Sequence, residues 1–216
     1  MTESNTQSEE KVIKTPDEKQ GLNIQGHIKI YDPETAEVYV DKHNAIHYEN
    51  FSVALAKSIS NRSTGFIEEM HFGNGGTSVD TTGIITYLAP NTSGDNANLY
   101  NKTYFKSIND QSSLNLDTTR NKITIAHVDG TTYTDCIVSC LLDFGEPAGQ
   151  QAFDNTTTVN DTFVFDEIGL FSFEGTAGEG NLLTHVIFHP VQKSLNRLIQ
   201  IDYTIRIQSL TNFVDV

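Results

Sequence analysis

The end of the chain carries the pattern that most constrains its fold, a run in which apolar and polar residues alternate strictly. Apolar side chains occupy every second position from Ile199 to Ile207, and each position between them is polar. Successive side chains of a β-strand point to opposite faces of its sheet. The pattern therefore predicts a strand with one face in a core and the other in water.

Two further apolar runs precede this strand within the stretch from Phe163 to Ile207. A glycine-rich turn separates the first run from the second, and a short polar turn separates the second from the third. Runs of this length bounded by turn residues are typical of consecutive strands. We expect the three to form an antiparallel meander that acts as a scaffold and holds no catalytic centre.

The remaining chain also favours strands. Its 216 residues suit one large domain, and its polar residues are largely Asn, Thr, Ser and Gly, a mixture typical of turn-rich β proteins. We predict eight to ten strands in a mainly β protein, an antiparallel β-sandwich or jelly-roll-like domain over residues 26–216. Four of these strands come as a hairpin over Gly26–Asp41 and as a pair over Lys122–Val128 and Tyr133–Phe144.

One short helix is predicted from Asn50 to about Ser60. Asn50 is a suitable N-cap, and the apolar residues that follow recur at helical spacing. We expect this stripe to pack against the sheet through the following side chains: Phe51, Ala54, Leu55 and Ile59.

The chain begins with an extended polar N-terminal arm, residues 1–25. Its first 20 residues contain almost no apolar side chains, so burial within the arm cannot offset the entropy lost on ordering. We predict that the arm lies on a neighbouring subunit, with Lys11 and Ile13 as candidate contacts; the alternative is that it folds back on its own domain. The arm lacks the basic and apolar regions of a secretory signal, which favours folding in the cytoplasm.

The charge of the chain limits its partners. A formal net charge of −14 repels nucleic acid and anionic membranes, so we expect neither as a partner. A basic protein surface remains compatible with this charge. No apolar run approaches the roughly 20 residues that span a bilayer.

The two cysteines, Cys136 and Cys140, lie four residues apart in one alternating run. On a strand they share a face but are separated by about 13 Å, beyond the reach of a disulfide. We predict buried free thiols, which suits a reducing compartment.

The most conspicuous acidic pair is Asp166 and Glu167. Neighbouring strand residues point to opposite faces, so the two do not form a pair for glycoside hydrolysis, and we expect a carboxylate here to tie a turn or a neighbouring subunit. The sequence Gly73–Thr77 is either a tight turn or a backbone anion nest, and the tight turn is favoured because no lysine and helix follow as in a phosphate-binding loop.

The histidines offer no metal-binding pattern. His43 and His47 have a spacing used on helices but precede the predicted helix, while His185 and His189 on one strand are about 13 Å apart. Asp80, Asp95 and Asp129 lie in loops without the spacing of an EF-hand. We expect no catalytic residue, no metal and no cofactor.

Five landmarks together resemble a family of virion structural proteins of tailed bacteriophages. These are an Asn-containing segment that leads into a short helix (Asp41–Ile59), a strand that ends in a Gly-rich turn (Ile67–Gly76), a D-E-I-G-L-F strand (Asp166–Phe171), an L-L-x-x-V-x-F-x-P-V-x-K run (Leu182–Lys193) and a final alternating strand (Ile199–Ile207). Relatives of this kind are head decoration, neck-collar, tail-baseplate or fibre-base proteins. The chain carries no repetitive shaft.

The resemblance implies a non-enzymatic subunit of a tailed-phage virion, folded in the host cytoplasm and held on the capsid, neck or tail by its β-domain and arm. Its partners would be other virion proteins, and copies of the chain would form a symmetric homo-oligomer. The alternative is a module of a tail fibre or baseplate that binds a host-surface glycan or protein. Candidate interaction residues besides those of the arm are Tyr87, Tyr100, Tyr104 and Phe153.

Overall fold

The apolar runs of the sequence form strands that pack as two antiparallel sheets around a common core. The computed structural model describes residues 21–94, 97–148 and 162–210. The elements, in chain order, are β1 (Gly21–Tyr31), β2 (Val38–His43), β3 (Ala45–Ile46), α1 (Tyr48–Ile59), β4 (Ile67–Gly73), β5 (Thr77–Val79), β6 (Ile85–Tyr87), β7 (Lys102–Ser107), β8 (Lys122–His127), β9 (Tyr133–Leu142), β10 (Thr162–Ser172), β11 (Leu182–Ser194) and β12 (Ile199–Leu210). The prediction of a mainly β sandwich with one short helix is confirmed, but the described residues form twelve strands rather than the eight to ten expected, because the short strands β3, β5 and β6 leave no clear alternation in the sequence.

Sheet A has the strand order β2-β1-β12-β9-β8, and sheet B has the order β3-β11-β10-β4-β7. Strands β5 and β6 form a separate two-stranded hairpin. The inner faces of the two sheets supply the core, which includes Ile28, Ile201 and Tyr203 from sheet A and Phe72 and Leu170 from sheet B.

The predicted meander is wrong in one respect. Strands β10 and β11 pair in sheet B, but β12 lies in sheet A between β1 and β9. The chain therefore crosses from one sheet to the other between Ser194 and Ile199. Alternation identifies the buried face of a strand, but it carries no information about the strand's neighbours. The buried face of β12 is as predicted, with Ile199, Ile201, Tyr203 and Ile205 in the core.

The helix begins earlier than predicted, and its N-cap is His47 rather than Asn50. The His47 ring accepts a hydrogen bond from the backbone N–H of Asn50, and the buried Asn50 side chain donates to the carbonyl of Leu182. Phe51 and Ala54 are buried as expected, whereas Ile59 is 78% exposed. The helix thus packs on the sheet through its first two turns only.

The central part of sheet B is buried on both faces. In β4, Met70 and Phe72 point into the core, so Glu69 and His71 lie on the outer face, and they too are buried. Loop segments after β4 and between β10 and β11 cover this outer face, as the bonds from Gly75, Tyr100 and Gly178 described below show. A second small apolar cluster of Leu99, Phe171 and Leu182 lies on this side.

Candidate functional site

Two adjacent carboxylates of β10 fasten to sheet B the segments 74–94 and 97–101, which follow β4 and which we call the covering loop. Asp166 accepts hydrogen bonds from the backbone N–H groups of Gly76 and Thr77, both at 2.9 Å, and from the Thr77 hydroxyl. Glu167 accepts from the N–H groups of Gly75 at 3.0 Å, Tyr100 at 2.9 Å and Asn101 at 2.8 Å. The pairing of β10 with β11 shifts register between Phe165 and Glu167. Both carboxylates reach the same covering loop.

His185 is the fourth hydrogen-bond partner of Glu167. Its Nε2 lies 3.0 Å from a Glu167 carboxylate oxygen, and its Nδ1 accepts a bond from the backbone N–H of Asn91 at 2.9 Å. Because Nδ1 is an acceptor, the ring proton resides on Nε2 and is donated to Glu167. The histidine therefore joins β10, β11 and the covering loop.

The segment Gly73–Thr77 is a bend whose backbone N–H groups are satisfied by carboxylates of the protein itself. Its N–H groups point at the carboxylates of β10, as a nest points at a bound phosphate. Glycine is required for the close approach: a Cβ on Gly73 would lie 2.5 Å from a Glu167 oxygen, and one on Gly75 would lie 2.7 Å from the Asn101 nitrogen. The expectation that a carboxylate here ties a turn is confirmed, and the turn belongs to the same chain.

The two carboxyl groups respond differently to burial. Burial and the neighbouring Glu167 charge raise the pKa of Asp166 in spite of the bonds from Thr77 and Gly76. Burial alone would also raise the pKa of Glu167, but the bonds from His185, Asn101, Tyr100 and Gly75 outweigh it and hold that pKa below its ordinary value. Glu167 is thus the ionised anchor of the pair.

A second buried pair lies on the same outer face. His71 Nε2 is 2.7 Å from a Glu69 oxygen, and the Glu69 carboxylate also accepts from the Gly178 N–H at 2.8 and 2.9 Å. The His71 ring stacks on Phe171, with 3.8 Å between centroids. Burial lowers the pKa of His71 below its ordinary value. This pair fastens the loop between β10 and β11 as the first pair fastens the loop after β4.

These polar groups are enclosed, and the bonds above join them to one another and to backbone. The side chains of Glu167, His71 and His185 have no exposed surface. Within residues 21–94, 97–148 and 162–210, no group of three or more His, Cys, Asp or Glu side chains is placed to hold a metal ion. The arrangement supplies rigidity to the segments that cover sheet B.

The covering hairpin carries an exposed apolar surface, which we call the hairpin surface. Its exposed side chains are Val79 and Tyr87 on one face of the hairpin, Ile84 on the other face beside the turn, and Leu88 and Tyr100 in the segments that follow. The turn of the hairpin is stabilised by Asp80, which accepts from the Thr82 and Ile84 N–H groups at 2.7 and 3.0 Å. The loop aspartate Asp80 thus caps its own turn.

The structure places the predicted interaction residues in three different settings. Tyr87 and Tyr100 are exposed on the hairpin surface, where their hydroxyl groups contact His189 and the carbonyl of Ala89. Tyr104 instead packs against the core, 5.8 Å from the Phe72 ring, because it points inward from β7. Lys11, Ile13 and Phe153 lie outside the described residues.

The sequence reasoning missed Glu69, His71 and the apolar members of the hairpin surface. The pattern of the first two misleads, because Glu and His that alternate with large apolar residues in I-E-E-M-H-F are typical of a strand with one face in water. Nothing in the sequence distinguishes Val79 or Ile84 from buried residues.

Both cysteines are free thiols, as predicted. Burial raises the pKa of Cys136 to about 11 and that of Cys140 to about 12. Cys136 borders an apolar groove of about 910 Å³ at the end of the sandwich, between α1, the loop 109–114 and the inner faces of β8 and β12.

The chain matches no protein-family model, and comparison with curated proteins and with solved structures finds no similar protein. In the part of the chain that the structure describes, no helix is long and apolar enough to cross a membrane.

Proposed function

We propose that this chain is a non-enzymatic structural subunit of a tailed-phage virion, held on the capsid, neck or tail through protein contacts. The proposal is motivated by the resemblance of the segments Asp166–Phe171 and Leu182–Lys193 to phage structural proteins. Both segments lie on β10 and β11, the paired strands at the centre of sheet B.

One observation carries the proposal: an exposed apolar surface sits on a hairpin region that buried carboxylates hold in place. Val79 and Ile84 are each 63% exposed on this hairpin, and five backbone N–H groups of the covering loop are bonded to Asp166 and Glu167. Val79 and Tyr87 share one face of the hairpin, and exposed apolar side chains that lie together mark contact surfaces. A preformed surface loses little conformational entropy when a partner binds.

The charge of the chain defines the partner further. At a net charge of −14, attraction is strongest towards a protein surface with basic residues around an apolar centre. Association with such a surface weakens as salt is added, because the Debye length falls.

The test is incorporation into particles of the phage that encodes the chain. Val79→Asp together with Ile84→Asp places two charges on the hairpin surface without removing a buried group. The matched control, Ile59→Asp with Leu116→Asp, adds the same charge at sites that are 78% and 96% exposed elsewhere. We expect wild type and control in purified particles and loss of the hairpin variant, measured by quantitative mass spectrometry.

Absence of the wild-type chain from purified particles would overturn the proposal. Equal incorporation of both variants would show that the hairpin surface is not the contact that holds the chain on the particle. Binding of the isolated protein to a glycan array, abolished by Tyr87→Ser, would favour the alternative of host-surface recognition.

A further inference from the structure

The two sheets end in four edge strands, and three of these edges are protected against pairing with another chain. Strand β3 has only two residues. Strand β2 carries Asp41 and Lys42, and β7 carries Lys102 and Lys106. Short length and charged residues, lysine above all, are the devices by which proteins prevent edge-to-edge association.

Strand β8 at the edge of sheet A is less protected, with the side chain of Asp110 accepting from the outward N–H of Ile123 at one end. Its sequence is KITIAH, with a lysine and a histidine only at its ends and no carboxylate. Ile125, opposite Cys136 of β9, is 65% exposed although it points to the inner face of the sheet. A weakly protected apolar edge of this kind is a template for another strand.

One contact identifies the residues of β8 whose backbone N–H and C=O groups point away from the sheet. The backbone N–H of Ile123 donates to the side chain of Asp110, which lies outside the β8–β9 ladder. Alternate residues of an edge strand direct both backbone groups away from the sheet, so Ile125 and His127 share the orientation of Ile123. No hydrogen bond among the described residues uses the outward N–H of Ile125.

We propose that β8 pairs antiparallel with β8 of a second copy of this chain, about a two-fold axis at Ile125. A two-fold axis perpendicular to the sheet leaves each side chain on its own face, and directly opposed residues must share a face. Odd-numbered residues of one copy therefore lie opposite odd-numbered residues of the other, and even-numbered residues lie opposite even-numbered ones. The register that uses the outward groups of Ile125 places Ile125 opposite its own copy, Thr124 opposite Ala126 and Ile123 opposite His127. In this pairing the N–H of Ile123 leaves the carboxylate of Asp110 for the backbone carbonyl of the opposed His127.

The occupant is a second copy because this edge is complementary to itself. Ile125 offers one donor and one acceptor, which satisfy those of the opposite Ile125 in a hydrogen-bonded pair. The opposed side chains are isoleucine with isoleucine and threonine with alanine, so the contact places no like charges opposite each other, although each copy carries a net charge of −14. The pairing would join the two five-stranded sheets A into one of ten strands. The inference adds a partner to the proposed function and does not depend on it.

Sedimentation velocity of the purified chain tests the pairing without any virion component. We expect a dimer for the wild type and an increase of at least about 30-fold in the dissociation constant for Ile125→Lys, which opposes two like charges. Ile125→Glu alone should dissociate in the same way, whereas an equimolar mixture of the two variants should form a heterodimer. Val38→Lys, at an exposed residue on the opposite edge of sheet A, should remain dimeric.

A disulfide provides a second, geometric test. In a hydrogen-bonded antiparallel pair the opposed Cα atoms are about 5.5 Å apart, within the range of a disulfide. Ile125→Cys should cross-link two copies on oxidation, in a Cys136→Ser background because Cys136 lies opposite on β9. Ala126→Cys in the same background should cross-link at least about 10-fold more slowly, since its own copy is offset along the strand.

A wild-type monomer at concentrations up to about 100 µM would overturn the proposal. A dimer whose dissociation constant is unchanged by Ile125→Lys would also overturn it. Equal rates of cross-linking for Ile125→Cys and Ala126→Cys would do the same. Because only purified protein is used, failure here is distinguishable from failure of incorporation into particles.

Discussion

Glu167→Gln is the substitution that most sharply tests how the covering loop is held. It preserves the size of the side chain but replaces one carboxylate oxygen with an NH₂ group. One oxygen of Glu167 accepts from Gly75 and Asn101, and the other accepts from Tyr100 and His185. Whichever way the amide is oriented, its NH₂ group therefore faces two buried donors.

The magnitude follows from these four bonds. His185 cannot relieve the conflict by moving its proton, because its Nδ1 already accepts from the N–H of Asn91. A hydrogen bond to a charged acceptor contributes about 1.5–3 kcal/mol, and two are lost. We expect the free energy of unfolding to fall by about 3–6 kcal/mol, the lower values applying if the loop moves to reach water.

The assay is urea unfolding of wild type, Glu167→Gln and the control Glu37→Gln, whose side chain is 63% exposed. The control should change the free energy of unfolding by less than about 0.5 kcal/mol. The pKa of Glu167 is lowered in the folded protein, so its contribution is present above the unfolded pKa and is lost as pH falls through the folded pKa. The variant should lack that part of the acid dependence. A loss below about 1 kcal/mol for Glu167→Gln would refute the reasoning.

Four further predictions concern stability and thiol reactivity. Asp166→Asn should cost about 1–2 kcal/mol in urea unfolding, less than Glu167→Gln, because one backbone donor loses its acceptor and the ionised form is already disfavoured. Gly169→Ala should cost about 2–3 kcal/mol, since its methyl group would lie 2.7 Å from a leucine methyl carbon and 2.8 Å from a backbone carbonyl oxygen; a cost near zero would contradict this packing. Cys136 and Cys140, with pKa values of about 11 and 12, should resist a thiol reagent at pH 8 until the protein unfolds, and rapid labelling of either thiol in the native state would count against their burial. Burial lowers the pKa of Lys193 to about 8, so above pH 8 the folded protein binds fewer protons at this residue than the unfolded chain does. The free energy of unfolding should therefore rise from pH 8 to 9.5 relative to that of Lys193→Met. A difference between the two proteins that stays constant with pH would contradict this prediction.

The strands were predictable because each buries a face, and burial leaves a period in the sequence. The buried side chains of β12 are those that alternation marks. Its position in sheet A was not predictable, because any apolar face can complete either sheet. Pairing is decided by contacts between residues that are distant in the chain, such as Ile28 with Tyr203.

The buried carboxylates were only partly predictable. The sequence indicates that Asp166 or Glu167 ties a turn, since a charged residue inside an apolar strand requires a partner. It does not reveal that the turn is Gly73–Thr77, about 90 residues earlier, or that Glu167 also binds the backbone of Tyr100 and Asn101. Backbone donors are the same in every residue and leave no mark in the sequence.

Hydrogen exchange at five backbone amides shows most directly whether the buried carboxylates hold the covering loop in place. These are the amides that donate to the two side chains: Gly75, Gly76, Thr77, Tyr100 and Asn101. We predict that in the native protein all five exchange only in openings nearly as costly as global unfolding, and that Glu167→Gln releases Gly75, Tyr100 and Asn101 first. Exchange of these amides in the wild type at the rate of unprotected loop amides would contradict the account.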